Sequence, residues 1–193
     1  MMMGCAGSPG PGASAAGPGG AGTREPRSAL ERLLPLMKGL SYVYLVAGEQ
    51  GEDSWLARAV PEGEDRATLR LPGGTRRFEF GPDAIRQLTP TGAVTVLTVP
   101  LAPGTAWQGE GGSQVVIEAV DAAVVLPAGR FGGCVRTREQ RGGGMPLQIL
   151  TTYCPDVGIV QLDAARGQQV ERATLQSFGA PMDLGPDGVR RIP

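Results

Sequence analysis

The alternation of apolar and polar residues predicts a protein built almost entirely of β-strands. From residue 41 onward, apolar side chains recur at every second position in short runs, which is the period of a strand with one buried face. Gly, Pro, Asp or Thr bounds each run, and the runs follow one another at intervals of roughly 8 to 12 residues. This spacing predicts an all-β fold, a strongly curved antiparallel sheet that forms a barrel or half-barrel. The predicted strands are 41–47, 55–60, 67–71, 76–80, 84–88, 93–99, 114–120, 123–126, 131–139, 146–153, 158–162 and 170–178.

Two segments carry a helical pattern. Residues 28–37 place four apolar side chains at helical spacing, but Pro35 limits them to a short turn of helix. The run 170–178 fits a strand, while residues 169–176 fit a helix equally well, so both assignments stay open.

Glycine and proline divide the chain into three parts. The 193 residues include 31 Gly and 17 Pro, enough to suggest disorder if they were evenly spread. They are densest in residues 1–24, which we expect to be a short signal-like start followed by a flexible tether, and in residues 179–193, which we expect to be a flexible tail. Residues 25–178 are then predicted to form a single β domain.

The N-terminus predicts a protein of the bacterial cell envelope. Met1 to Cys5 reads Met-Met-Met-Gly-Cys, which resembles the end of a lipoprotein signal, where the cysteine is lipidated after cleavage. The basic and apolar parts of such a signal are missing, which suggests either a start codon assigned too late or a sequence from which the signal was trimmed. Cys5 is therefore the predicted lipid attachment site, in the outer membrane or facing the periplasm. The lipid would be the only membrane contact, because no run of eighteen apolar residues occurs. The alternative is a cytoplasmic protein with a flexible tail and a free thiol at Cys5.

The other two cysteines fall on the two strands of a predicted hairpin. Three consecutive glycines at 142–144 separate these strands, which is typical of a hairpin loop. If the hairpin is centred at Gly144, Cys134 and Cys154 face each other on one side of the sheet, and a disulfide needs only slight adjustment to bridge them. Two buried reduced thiols are the alternative. A metal or catalytic pair is the third, although without histidine it lacks two of the four ligands that zinc takes.

Four motifs follow one another along the predicted domain. Two read P-L-x-x-G-x-x-aromatic, a chain stiffened by Pro and turned at Gly that begins a strand with an aromatic side chain. The third reads L-P-A-G-R-F-x-x-C, and the fourth reads Y-C-P-D-V-G-I-V. The motif positions are Pro35, Leu36, Gly39, Tyr42, Pro100, Leu101, Gly104, Trp107, Pro127, Gly129, Phe131, Tyr153, Pro155 and Gly158.

In order and spacing, these motifs resemble a broad family of uncharacterised bacterial envelope proteins, many of them lipoproteins. The resemblance covers about residues 34–178. It implies a strongly curved antiparallel sheet and a periplasmic or surface location, and it implies no activity. Two positions depart from the family pattern, since Tyr42 stands where Trp is usual and Asp156 where Gly is usual. Asp156 puts the backbone conformation of its turn in question, although Asp tolerates turn geometry better than most residues.

Composition excludes several kinds of chemistry. The chain contains no histidine, which excludes Ser-His-Asp and Cys-His catalysis and histidine metal sites. A formal net charge of −1 gives no electrostatic footprint for nucleic acid, so we expect no nucleic-acid partner. We predict no catalytic residue, no metal and no cofactor. The remaining acid-base option is a pair of carboxylates, with Asp121, Asp156 and Asp163 as candidates by residue type alone.

Two smaller features have both a functional and a structural interpretation. Glu49, Glu52 and Asp53 lie with two glycines between predicted strands, where a weak calcium site is conceivable. The twelve-residue calcium pattern is absent, so we predict a solvated turn. Trp55 and Trp107 could stack on a ligand, but their strand spacing predicts that they pack in the core.

The sequence therefore predicts a non-enzymatic envelope protein, lipid-anchored or secreted, that acts as a binding or interaction module for an unknown envelope protein. The alternative is a carrier of a hydrophobic small molecule or lipid in a half-barrel cavity, by analogy of fold alone. An open apolar cavity would favour the carrier, and an interior filled by the protein's own side chains would favour the interaction module.

Overall fold

An antiparallel sheet of twelve strands makes up most of the computed structural model, which describes residues 26, 28–143 and 146–180. Helix α1 (Ala29–Leu33) and a 3-10 turn (Leu36–Lys38) precede the sheet, and a second 3-10 turn (Glu110–Gly112) joins two of its strands. The strands are β1 (Ser41–Gly48), β2 (Gly51–Glu62), β3 (Arg66–Leu71), β4 (Gly74–Phe80), β5 (Ala84–Thr89), β6 (Gly92–Thr98), β7 (Ala106–Gln108), β8 (Gln114–Leu126), β9 (Gly129–Arg141), β10 (Leu147–Cys154), β11 (Gly158–Arg166) and β12 (Gln169–Gly179).

The sheet curls into a nearly closed barrel. Neighbours in sequence are neighbours in the sheet, and β1 also pairs with β12, so the order runs from β6 through β1 and β12 to β7. The edge strands β6 and β7 meet without a backbone ladder at a gap that we call the seam. There the indole N–H of Trp107 donates a hydrogen bond to the backbone oxygen of Thr95, at 3.1 Å. The predicted all-β, strongly curved antiparallel sheet is confirmed.

The turns of this sheet lie alternately at two ends of the barrel. One end holds the connections β2–β3, β4–β5, β6–β7, β8–β9 and β10–β11 together with α1, and we call it the plugged end. The other end holds the connections β1–β2, β3–β4, β5–β6, β7–β8, β9–β10 and β11–β12, and we call it the open end.

Some strand boundaries differ from the prediction. Strand β8 continues through residues 121–122, where a break between two strands was expected, and the three-residue β7 was not among the predicted runs. Strand β2 begins at Gly51, so residues 51–54 lie in a strand and not in a turn. The ambiguous run 170–178 is a strand, part of β12, because it completes the ladder between β1 and β11.

Hairpin β8–β9 bends sharply, which explains why its first strand looks broken in the sequence. The register between the two strands shifts three times along the pair. Left-handed backbone at Asp121 (φ 55°) and Gly133 (φ 66°) accompanies these shifts, as is common at β-bulges. The distal part of the hairpin reaches β12, where the rings of Phe131 and Phe178 lie 6.2 Å apart.

Helix α1 fills the plugged end. Its first turn is capped by Ser28, whose Oγ accepts a hydrogen bond from the Glu31 N–H at 3.1 Å, and Pro35 follows its end. The helix contacts β5 on one wall and β10 and β11 on the opposite wall, so it lies across the interior. Burial of each large apolar side chain stabilises the fold by about 1.5 to 3 kcal/mol. The helix and the 3-10 turn, residues 29–38, together form what we call the plug. The plug buries Leu30, Leu33, Leu34, Leu36 and Met37 in the core.

Several predicted features lie outside the described residues. These are the lipidation site Cys5, the tether up to residue 24 and the tail after residue 180. Within residues 28–143 and 146–180, every helix is too short or too polar to cross a bilayer.

Candidate binding site

The predicted disulfide between Cys134 and Cys154 is present. Strands β9 and β10 pair in the register expected for a hairpin centred at Gly144, with Val135 opposite Tyr153. The Cα atoms of the two cysteines lie 4.2 Å apart, and both side chains are completely buried. The bond closes a loop of 20 residues, which contributes about 3 kcal/mol by the chain-entropy estimate.

Asp156, next to this disulfide, has a left-handed backbone conformation, which favours glycine, with φ at 64°. Its carboxylate accepts hydrogen bonds from Arg32 Nη2 at 2.6 Å and from Lys38 Nζ at 3.0 Å. The hydrogen bond from Arg32 is the main reason that the pKa of Asp156 is lowered. Asp156 therefore gives the turn β10–β11 a charge that bonds to helix α1 and the 3-10 turn after it.

The motif residues lie mainly at the plugged end and the seam. Pro35, Gly39 and Tyr42 lead from the plug into β1, and the Tyr42 hydroxyl is buried without a hydrogen-bond partner among the described residues. Trp107 at the end of the second motif is half-buried and bridges the seam. The other motif positions lie in the loop before β7 (Pro100, Leu101, Gly104), in the turn β8–β9 and the start of β9 (Pro127, Gly129, Phe131), and around the turn β10–β11 (Tyr153, Pro155, Gly158).

An open cleft of about 710 Å³ lies on the concave wall at the open end. Five adjacent strands, β2, β1, β12, β11 and β10, form it together with the turn β1–β2. Its apolar lining comes from Val46, Trp55, Leu147, Ala164 and Val170. The strand register places Val46 opposite Asp53 and Ala164 opposite Glu171, so apolar and acidic side chains share the inner face.

Trp55 and Asp53 form a pair in this cleft. The indole N–H of Trp55 donates a hydrogen bond to Asp53 Oδ2 at 3.2 Å, and Asp53 Oδ1 accepts one from the Ser54 N–H at 2.8 Å. Trp55 is half-buried, so the expectation of a residue packed in the core is wrong for part of its indole. Strand β2 is long enough to carry it past the buried core to the open end.

The cleft has a strongly acidic rim. Its lining includes Glu49, Glu52, Asp53 and Glu171, against the single cation Arg166. Glu49 accepts a hydrogen bond from Gln169 Nε2 at 2.8 Å, which joins the turn β1–β2 to β12. The sequence reveals the acidic residues, but it does not reveal that the sheet places them beside Glu171, 118 to 122 positions away.

The carboxylates considered for catalysis lie on separate elements. Asp156 belongs to the turn β10–β11, Asp121 to the bend of β8, and Asp163 to β11, where it is paired with Arg172 at 2.6 Å. In the described part of the chain, no group of three or more acidic or cysteine side chains is arranged to hold a metal ion. A smaller cavity of about 230 Å³ lies between α1 and the bend of hairpin β8–β9 at the plugged end.

Comparison with known proteins relates this chain to others by fold. No protein-family model and no curated protein sequence matches it. A "putative lipoprotein" from Parabacteroides distasonis has a similar structure, with a TM-score of 0.50 at 10% identity over 76% of this chain and 98% of the other. Two weaker similarities are to a "putative exported protein with YmcC-like fold" from Bacteroides fragilis (TM-score 0.48, 12% identity, 73% of this chain and 95% of the other) and to LprF from Mycobacterium bovis (0.32, 11%, 79% and 91%). At these identities the first similarity concerns the fold alone.

Proposed function

We infer that this protein is a non-enzymatic binding module of the bacterial cell envelope that holds its ligand on the concave wall at the open end. The observation that carries this proposal is the division of the interior. Leucines of the plug fill one end, and an open cleft of about 710 Å³ occupies the other. Concave clefts that combine apolar side chains with a few polar groups are the usual form of a ligand site.

The division of the interior also favours a binding module over the alternative, a carrier that encloses a wholly hydrophobic ligand. Such a carrier needs an apolar cavity, and α1 occupies the apolar part of this interior. The space that stays open has a mixed lining, with acidic residues on its rim. A ligand here therefore has polar groups of its own.

Three observations support a location in the envelope. The buried disulfide suits an oxidising compartment, because thiols of cytosolic proteins are normally kept reduced. The motif order resembles envelope proteins, and the similarly folded protein of Parabacteroides distasonis is described as a lipoprotein. Lipid attachment at Cys5 completes the proposal and agrees with the Gly-Cys step that precedes the tether.

Filling the cleft tests the binding role. The neutral dye Prodan, a naphthalene that carries a polar carbonyl group, serves as the probe, and its fluorescence reports binding. Ala164 lies on the inner face of β11, so Ala164→Trp should abolish dye binding. The matched control is Ala165→Trp, since this neighbour does not line the cleft, and it should leave binding unchanged. Equal binding by both folded variants would overturn the proposed site.

Should Ala164→Trp fail to fold, nuclear magnetic resonance of the unmodified protein replaces it. The chain has two tryptophans and hence two indole N–H signals. Dye in the cleft should shift the Trp55 signal and leave that of Trp107, at the seam, in place.

Expression with the upstream codons tests the location. In a bacterial host fed labelled fatty acid, we expect label on the protein and none on the Cys5→Ala variant. An unlabelled protein found in the cytosol, with Cys134 and Cys154 reduced, would contradict the envelope assignment.

A further inference from the structure

We propose that the cleft selects ligands that join an ammonium group to an apolar body. This inference rests on the proposed function, since it names the chemical class of ligand that the same site takes. An apolar wall, an indole beside a carboxylate, and an uncompensated negative charge occur together in one cavity.

The apolar body of such a ligand has a wall to lie against. Leu147 and Ala164 are half-buried on the β10–β11 side of the cleft, and Val46, on β1, is 7% exposed. Val46 is thus already buried, but Leu147 and Ala164 remain partly open because the plug reaches only the other end of the barrel. An aliphatic or aromatic group placed here removes their exposed surface from water, which favours binding.

The ammonium group finds its contacts on the β1–β2 side. Trp55 provides an indole, the aromatic group that attracts cations most strongly. Its N–H is bonded to Asp53, which holds a carboxylate beside the ring. An ammonium ion next to this pair is attracted both to an aromatic face and to a negatively charged oxygen, an electrostatic combination that a neutral or anionic group does not gain from.

The charge of the rim gives the same selection over a longer range. Four carboxylates and one guanidinium leave the lining with a formal charge of −3, whereas the entire chain carries −1. None of the four carboxylates forms an ion pair with Arg or Lys among the described residues. The carboxylates of Glu79, Glu110, Glu118, Glu139, Asp156 and Asp163 all do. The negative charge of the cleft is therefore available to a cationic ligand and opposes an anionic one.

The arrangement of the charges also orients the ligand. Arg166, the one cation of the lining, pairs with Leu147 in the β10–β11 ladder, on the side of the cleft away from β2. Asp53 and Glu49 lie on the β1–β2 side, and Glu171 follows on β12. The ammonium group consequently points toward β2, and the apolar body lies toward β10.

Three amphiphiles with the same decyl chain test this inference: decyltrimethylammonium, decyl maltoside and decyl sulfate, each below its micelle-forming concentration. Calorimetric titration of the full chain should give a Kd for decyltrimethylammonium about tenfold lower than for decyl maltoside, and the weakest binding for decyl sulfate. The Trp55 indole N–H signal should move during the titration, and that of Trp107 should not.

Charge removal provides the matched comparison. In Asp53→Asn/Glu171→Gln the affinity for decyltrimethylammonium should fall to about the affinity for decyl maltoside. The control Asp65→Asn/Asp83→Asn removes two exposed carboxylates at the plugged end and should keep the preference. If the first variant does not fold, added salt should weaken binding of decyltrimethylammonium to the natural protein and leave decyl maltoside unaffected.

The outcomes separate the two proposals. Equal affinity for the three head groups, with a shifted Trp55 signal, overturns the ammonium preference and leaves the binding site in place. If the folded Asp53→Asn/Glu171→Gln variant still prefers the ammonium head group, Asp53 and Glu171 are not the carboxylates that select it. If no amphiphile moves the Trp55 signal and the neutral dye does not bind, both proposals are wrong.

Discussion

Arg32 and Asp156 are joined twice, once through their side chains and once through the backbone. Arg32 Nη2 lies 2.6 Å from Asp156 Oδ2, and the Asp156 N–H donates to the Arg32 backbone oxygen at 2.7 Å. One residue belongs to the plug helix and the other to the turn β10–β11. The plug is therefore fastened to the barrel wall by a contact that spans 124 residues of sequence.

Substitution of Asp156 separates its backbone role from its charge. Asp156→Ala loses the ion pairs and keeps an unfavourable left-handed backbone, whereas Asp156→Gly loses the ion pairs but adopts the left-handed backbone without that penalty. We expect Asp156→Gly to be more stable than Asp156→Ala by about 1 kcal/mol. Urea unfolding measures the difference, and two variants of equal stability would contradict the left-handed conformation.

The charge of Asp156 makes part of the stability depend on pH. Because the pKa of Asp156 is lower in the folded than in the unfolded protein, its contribution is present above the unfolded pKa of about 4 and is lost as the pH falls through the folded pKa. The stability of the natural protein relative to Asp156→Gly should therefore fall on acidification below about pH 4. Urea midpoints of the natural protein and of Asp156→Gly at several pH values measure this change. Glu79→Gln, which removes the ion pair between Arg66 on β3 and Glu79 on β4, is the comparison variant.

Trp107 should hold the seam closed. Trp107→Phe keeps an aromatic ring but removes the hydrogen bond to Thr95, so we expect a loss of about 1 kcal/mol and faster hydrogen exchange in β6. Trp55→Phe is the matched control, because its indole hydrogen bond lies at an exposed site, and it should leave exchange in β6 unchanged. Equal exchange in the two variants would show that Trp107 does not secure this edge.

The disulfide should contribute strongly to stability. Reduction, or the substitution Cys134→Ala/Cys154→Ala, is expected to lower the free energy of unfolding by about 3 kcal/mol. In the chain expressed without lipid attachment, thiol labelling of the unfolded protein followed by mass measurement should find one reactive thiol, that of Cys5, before reduction and three after it, since the chain has three cysteines. Three labelled thiols in the unreduced protein would contradict the bond.

The three tyrosines should resist ionisation. Burial raises the pKa of Tyr153 to about 12 and also raises those of Tyr42 and Tyr44. Since the folded values lie above the unfolded pKa of about 10, this stability is complete below pH 10 and declines as the pH rises from there. Phenolate absorbance should appear together with the loss of circular dichroism. A folded protein with ionised tyrosines at pH 10 would contradict this.

Local sequence was sufficient for the features that depend on neighbours along the chain. The period of two predicted the strands, and the hairpin loop predicted the register that brings Cys134 to Cys154, because both partners lie within one hairpin. The bend of β8 escaped prediction, since a bulge looks the same as a strand end until its partner strand is known. The path of α1 across the barrel also depends on walls formed much later in the chain.

The cleft shows more clearly that local sequence does not predict contacts between distant parts of the chain. Glu49, Glu52 and Asp53 were expected to form a solvated turn, and their local sequence is consistent with that. Their meeting with Leu147 and Glu171 depends on the pairing of β1 with β12. β1 and β12 are the first and last strands in sequence, and no local pattern specifies that they pair.

The position of α1 and of the end of β12 determines how the domain presents itself. The described chain enters and leaves the barrel at the plugged end. An attachment through either flank would therefore hold the protein at that end. The open end lies at the opposite end of the barrel from both flanks. A ligand can therefore reach the acidic rim without passing the segments through which the protein would be held.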